Sequence, residues 1–179
     1  MPRDTSDRLW APWRNAYLTK TDARARKPGC FLCRAVKGRQ DRASLVVARS
    51  PLAFAILNGY PYNQGHLLIS PTRHIGSFTR LQDREVDALM RMLQTMTRAL
   101  ETLLRPQGLN IGLNQGRAAG AGVPGHLHLH VVPRWISDTN FMPLIGNTKV
   151  ISESLDAMQT QLSRAVREQA ASRPRKPRR

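Results

Sequence analysis

Three of the five histidines stand at alternate positions, in Gly125-His126-Leu127-His128-Leu129-His130-Val131-Val132. Side chains alternate across an extended strand, so Leu127, Leu129 and Val131 face one side, toward a core, while His126, His128 and His130 share the other. At about 3.3 Å rise per residue the outer two lie roughly 13 Å apart at Cα, so one metal ion cannot easily take all three. A neutral imidazole is a competent nucleophile near pH 7 without an activating base. The plainer readings of the same residues are a solvated strand face or a pH-sensitive surface. Just upstream, residues 114–125 form a loop with four glycines that delivers into the histidine strand. Glycine permits positive φ and close backbone approach, so successive amide N–H groups there can converge on phosphate oxygens, with Arg117 alongside. The only two cysteines, Cys30 and Cys33, are too close to staple a fold. A Cys-x-x-Cys pair supplies half of a tetrahedral metal set, which needs two more nitrogen or sulfur ligands; free thiols or a redox pair are the alternatives.

The elements that must position these groups follow from the hydrophobic pattern. Leu45–Ala48 and Leu52–Leu57 are short apolar runs split by Arg49-Ser50-Pro51, which predicts a hairpin. The turn formers of residues 58–65 mark a loop, after which His66–Ser70 reads as a third strand ended by Pro71. Between Leu81 and Leu104 apolar residues recur at three- and four-residue steps, predicting one long amphipathic helix stopped by Pro106 and Gly108. Leu109–Leu113 and His126–Val132 read as two further strands, and Ser152 is placed to cap a final helix over roughly 153–168. Residues 20–42 read as a loop organised around the two cysteines. The expected fold is α+β, an antiparallel sheet of about five strands with one long and one C-terminal helix.

The chain has 179 residues and a formal net charge of +16. Its length favours one domain, read here as 1–171, with residues 172–179 as a disordered basic tail that holds no apolar residue except proline. No apolar run approaches the roughly 18 residues of a membrane span and no apolar signal segment opens the chain, so a cytoplasmic location is expected. A charge this high ordinarily points to nucleic acid or another anionic surface. Its distribution weakens that reading. Residues 20–42 carry eight basic and two acidic groups and residues 164–179 seven and one, whereas 43–163, which hold the histidine chemistry, carry ten and seven. Nucleic-acid or anionic-surface binding is therefore an accessory expectation for the basic tail. The aromatic segment Leu9–Leu18 must pack on a neighbouring element or a partner subunit.

Residues 125–132 resemble the signature of the histidine triad (HIT) family, His-φ-His-φ-His-φ-φ with φ apolar. The likeness extends to Asn58, to Gly65–Pro71 with His66, and to His74; the aromatic start and Cys30-x-x-Cys33 resemble a bacterial diadenosine tetraphosphate phosphorylase-like branch. The resemblance covers roughly residues 8–165. It implies nucleotidyl transfer or hydrolysis at the α-phosphate of a nucleotide, with the middle histidine, His128, as the nucleophile that forms a nucleotidyl-imidazole intermediate. His130 would hydrogen-bond phosphate or leaving-group oxygens, His66 would orient groups near the site unless it is a hydrogen-bonded core histidine, and Asn58 would contact the sugar. Asn114, Gln115 and the loop amides, including those of Gly116 and Gly122, would stabilise charge on the transferring phosphoryl group. Apolar residues around Phe54 and Ile56 are candidates to hold the base. Many members place a Ser or Thr shortly before the triad; here Gly122-Val123-Pro124-Gly125 has no hydroxyl. Zinc-containing relatives imply a structural zinc on Cys30, Cys33, His74 and His126, and the family implies a homodimer.

Overall fold

The computed structural model describes residues 29–136, 138 and 153–172. Five strands form one antiparallel sheet: β1 (Val46–Arg49), β2 (Ala53–Leu57), β3 (Leu67–Pro71), β4 (Gly108–Leu113) and β5 (Leu129–Arg134), in the order β1-β2-β3-β5-β4. Three α-helices accompany it: α1 (Phe31–Lys37), α2 (Asp83–Leu104) and α3 (Leu155–Ser172). The α+β architecture and the five strands are those the pattern predicts. By its contacts the chain divides into two compact units, Met1–Gly29 with Thr139–Val150, and Cys30–Asp138 with Ile151–Arg179. All eight elements belong to the second. The aromatic segment Leu9–Leu18 and the residues after Ser172 lie outside the described residues. Among those described, no helix is long and apolar enough to cross a membrane.

β2 and β3 are buried along their whole length, which is why they read as continuous apolar runs rather than alternating ones. One face of the sheet offers Ala53, Ala55, Leu57, Leu67, Ile69, Leu129 and Val131 to Leu89, Met92, Met96 and Leu100 of α2 and Met158 and Leu162 of α3. The other face sets Phe54, Ile56 and Leu68 against Leu32 and Ala35 of α1. Phe54 and Ile56 are thus core residues under α1, which corrects their reading as a surface open to a base.

Helix α1 corrects the reading of its stretch as a loop. Seven residues are too few to show periodicity or to persist alone, so tertiary contacts make this helix. Leu32 and Ala35 are buried beneath it. The Arg49 guanidinium donates to the carbonyl oxygens of Ala35, Val36 and Gly38 at its C-terminal end, satisfying groups the helix leaves unpaired. Element boundaries also differ, and Pro71, read as the residue that stops the third strand, is the last residue within it. Helix α3 runs to Ser172 and begins after Ser154, whose hydroxyl accepts the Ala157 N–H at 3.2 Å; Ser152 lies outside the described residues. Strand β5 starts at Leu129, so His126–His128 stand ahead of the ladder.

The segment between β3 and α2 is held by an ion pair. Arg73 donates through Nε and Nη2 to the two carboxylate oxygens of buried Glu85, at 2.9 and 2.7 Å, and Glu85 also accepts the Gln82 N–H. The Arg73 hydrogen bonds hold the Glu85 carboxyl down at about 2, from an ordinary 4.5. A carboxylate with a lowered folded-state pKa stabilises the fold above its unfolded pKa and loses that contribution as pH falls toward the folded one. Urea midpoints should therefore drop between about pH 4.5 and 2. Glu85→Gln should flatten that segment of the profile and cost about 2 kcal/mol at pH 7; an unchanged profile would remove the pair from the account.

Candidate active site

The two cysteines lie at the start of α1, Cys30 immediately before its first residue and Cys33 one turn on, so their thiols project to one side. Opposite them the segment after β3 runs against the segment before β5: the Leu127 N–H donates to the Ile75 carbonyl at 2.7 Å. This approach is close enough that a Cβ on Gly76 would stand 2.4 Å from the Pro124 carbonyl oxygen, which is why glycine is needed there. His74 and His126 thereby face the thiols. His126 Nδ1 is 3.4 Å from each sulfur and His74 Nδ1 is 3.2 Å from the Cys33 sulfur, and all four donor atoms lie within 4.8 Å of one another. Zn–S bonds of about 2.3 Å and Zn–N bonds of about 2.05 Å at tetrahedral angles put sulfur and nitrogen about 3.5 Å apart. The cluster has that spacing and a Cys2His2 donor set. His126 Nε2–H donates to the Pro71 carbonyl at 2.9 Å, which leaves the Nδ1 lone pair for the cluster. Burial lowers the His126 pKa and raises that of the Cys33 thiol.

His128 turns a different way. Its Nδ1–H donates to the carbonyl oxygen of His126 at 2.9 Å, so the neutral ring carries its lone pair on Nε2. No buried side-chain nitrogen or oxygen among the described residues lacks a partner. Nε2 makes no hydrogen bond to those residues, so it opens to solvent although the residue as a whole is only 5% exposed. Burial lowers the His128 pKa from its ordinary value, which favours the neutral ring. Buried His126 and His128 exclude the reading of a solvated or pH-sensing histidine surface.

A directed chain of hydrogen bonds sets the third histidine. The Tyr62 N–H donates to Nδ1 of His66 at 3.1 Å, and the Asn58 amide group lies 3.2 Å from the same atom. Nδ1 is therefore an acceptor and Nε2 of His66 carries the proton, donating to Nδ1 of His130 at 3.0 Å. His130 in turn presents Nε2–H as a donor. Its ring lies 5.1 Å from that of His128, centroid to centroid, and its cross-strand neighbours are Leu68 and Gly112. His66 is fully buried, but it is bonded into the site rather than into the core. The triad thus divides: His126 joins the cysteine cluster, while His128 and His130 stand together.

The remaining candidates fall nearby. Asn114 directly follows β4; the register that pairs Leu113 with Leu129 sets it abreast of His128 when continued by one residue. The Gln115 side-chain oxygen accepts the Phe78 N–H at 2.7 Å, tying the glycine loop to the segment after His74. Gly116 has φ +82° and Gly120 φ +80°, but the N–H groups of Gly120 and Ala121 bond to the carbonyls of Arg117 and Gly116, so part of the loop satisfies itself. Gly122 is exposed. Both ends of the Asn58 side chain are engaged within the loop, its oxygen by the Tyr60 N–H. Tyr62 is a residue that sequence reasoning missed: its ring stacks on His130, 11° from parallel at 6.0 Å, and lies 4.6 Å from that of His66. It sits among turn formers, and only its proximity to His66 in sequence could have signalled it.

The HIT domain family model matches residues 39–135. The chain belongs to the HIT family. It is 42% identical over 158 residues to the AP-4-A phosphorylase of Mycobacterium tuberculosis, an alignment covering 86% of this chain and 80% of that protein. It is 29% identical over 126 residues to the bifunctional bis(5'-adenosyl)-triphosphatase/adenylylsulfatase of Arabidopsis thaliana, covering 68% of this chain and 69% of that one. Its fold superposes on a zinc-bound histidine triad family protein from Mycobacterium smegmatis with a TM-score of 0.64 at 23% identity, covering 81% of this chain and 98% of that one.

The hydrogen-bond directions require opposite tautomers for neighbouring histidines. At pH 7, two-bond 15N–1H correlation spectra should show His128 protonated on Nδ1 and His130 on Nε2. His128 should titrate below the ordinary imidazole range, since burial disfavours its charged form. Finding the same tautomer on both rings would contradict the chain of donors.

Proposed function

We propose that this protein cleaves dinucleoside polyphosphates such as diadenosine tetraphosphate at an α-phosphate through a nucleotidyl intermediate on His128, with phosphate as the preferred acceptor. One observation carries the reading: the Nδ1–H bond to the His126 carbonyl, which leaves an unprotonated, solvent-facing Nε2 on a neutral ring. Nε2 attacks the α-phosphorus, a P–N bond forms and the P–O bond to the leaving polyphosphate breaks. Phosphate then attacks the same phosphorus and restores the imidazole. Diadenosine tetraphosphate plus phosphate thus gives ATP and ADP; water as acceptor gives ATP and AMP. The lean toward phosphate follows the name of the Mycobacterium tuberculosis relative.

The other groups take roles that their geometry allows. His130 donates Nε2–H to phosphate or leaving-group oxygens, and His66 is the positioning residue that holds it in that tautomer. Asn114, Gln115 and the backbone of Gly116 and Gly122 line the phosphate path from the glycine loop. Asn58 acts through the 58–66 loop, and a sugar contact would have to share its carboxamide with the bonds it already makes. Cys30, Cys33, His74 and His126 would hold zinc, which when bound would supply a structural cross-link rather than a Lewis acid. The edge strand β4, with Ile111 46% exposed, is the face on which a second copy pairs. The protein acts in the cytoplasm, where its basic termini raise its encounter rate with polyanionic nucleotides.

Incubation with diadenosine tetraphosphate should yield ADP and ATP in the presence of phosphate, and much slower AMP release without it. No turnover by the folded chain would refute the reading, and equal AMP release with and without phosphate would make the protein a hydrolase. His128→Asn keeps an amide able to donate to the His126 carbonyl. It should fold and lose activity by more than about 1,000-fold. Metal analysis of the reduced chain should give about one zinc per chain, and less than about 0.2 would contradict the cluster's assignment.

A further inference from the structure

His126 belongs to both centres at once. Its ring Nδ1 faces the two sulfurs, its Nε2–H is bound to the Pro71 carbonyl, and its own carbonyl holds the Nδ1–H of His128. Whatever fixes the ring of His126 therefore helps to fix the nucleophile two residues on. The cysteines that face it are three residues apart, and their sulfurs lie within 4.8 Å of each other. Closing a disulfide of about 2.05 Å from there takes rotation of the two side chains together with a small adjustment of the first turn of α1. His74 is exposed and both cysteines are only partly covered, so small molecules reach the cluster from that side.

We propose that Cys30 and Cys33 form a peroxide-sensitive latch on the active site, in which their oxidation to a disulfide releases the bound ion, unfixes His126 and slows the reaction at His128. The proposal rests on the assignment of zinc to the cluster and of the nucleophile to His128. Two thiolates lose one electron each and form the S–S bond. Hydrogen peroxide takes up the two electrons and two protons and leaves as two molecules of water. The zinc ion departs unchanged in charge, because its sulfur ligands no longer carry the negative charge that held it. The fold outlasts the change: α1 is still held by buried Leu32 and Ala35 and by the Arg49 clamp at its other end. What is lost is the fixed end of the 126–128 segment, and displacement of a nucleophile by a fraction of an ångström is costly to rate.

The test uses the zinc-loaded full chain titrated with hydrogen peroxide. Released zinc is followed with a colorimetric chelator, free thiols with a thiol reagent, and the Cys30–Cys33 disulfide by peptide mass spectrometry. Release of about one zinc per chain, in step with the loss of both thiols and a fall in turnover of at least about tenfold, is the expected result, reversed by a dithiol and added zinc. Cys33→His replaces one sulfur by a nitrogen donor and leaves a single thiol. Whatever its starting rate, it should keep its metal and that rate through the same titration. The latch is overturned by zinc release with turnover unchanged, by turnover falling while zinc and thiols are retained, or by an equal proportional loss of turnover in Cys33→His. A chain that loads no zinc before peroxide is added overturns the metal assignment beneath it; one that loads zinc and keeps both thiols throughout overturns the latch alone.

Discussion

The hydrogen bond from Nδ1 of His128 to the carbonyl of His126 joins the chemistry of the site to the backbone that carries it. It exists because residues 126–128 stand outside the β5 ladder. A carbonyl inside an antiparallel ladder is taken up by the neighbouring strand, whereas that of His126 is left to accept from an imidazole. The segment nevertheless has to be rigid: the Leu127 N–H bonds to Ile75, the Leu127 carbonyl accepts the Ser70 hydroxyl at 2.7 Å, and the His126 ring is held between the Pro71 carbonyl on one side and the two cysteine sulfurs on the other. The neutral ring and its free Nε2 follow from that arrangement together with burial.

The two faces of the sheet divide the labour. Leu129 and Val131 anchor β5 in the core beneath α2 and α3, and between them His130 projects to the opposite face. There, α1 covers only the strands β1 to β3, by way of Leu32 and Ala35, and brings the two thiols beside His126. A helix of seven residues cannot do this by itself: buried Leu32 and Ala35 and the Arg49 clamp hold it, and the cysteine–histidine cluster ties its first turn to residue 126. The cluster is thus as much a device for seating α1 as for holding residue 126.

Much of this was legible in the sequence, for identifiable reasons. Alternation placed His126, His128 and His130 together, continuous apolar runs marked β2 and β3, and a long three-and-four spacing marked α2. The site's inner partition was not legible. Period-two spacing says that three side chains share a face, but not that His126 leaves the strand, turns to Cys30 and Cys33 and hands its carbonyl to His128. Nor could the sequence show that α1 exists, since its helicity comes from Arg49 and from burial rather than from its own seven residues. Phe54 and Ile56 illustrate the same limit: an apolar residue on a two-faced sheet fits a core and a ligand surface equally well, and only the position of α1 decides. Tyr62 was hidden for a different reason, because its backbone N–H, not its side-chain type, sets the direction of the chain through His66 to His130.

In the proposed reaction the Nε2 atom of His128 makes and breaks the bond to the α-phosphorus. The most direct measurement is rapid quenching of the protein with radiolabelled dinucleotide in the absence of phosphate, followed by peptide mapping. A nucleotidyl adduct is expected on the peptide containing His128, labile in acid and stable in base as a phosphoramidate should be, and discharged when phosphate is added. Turnover that proceeds with inversion at the α-phosphorus and no adduct, or an adduct on another residue, would contradict it.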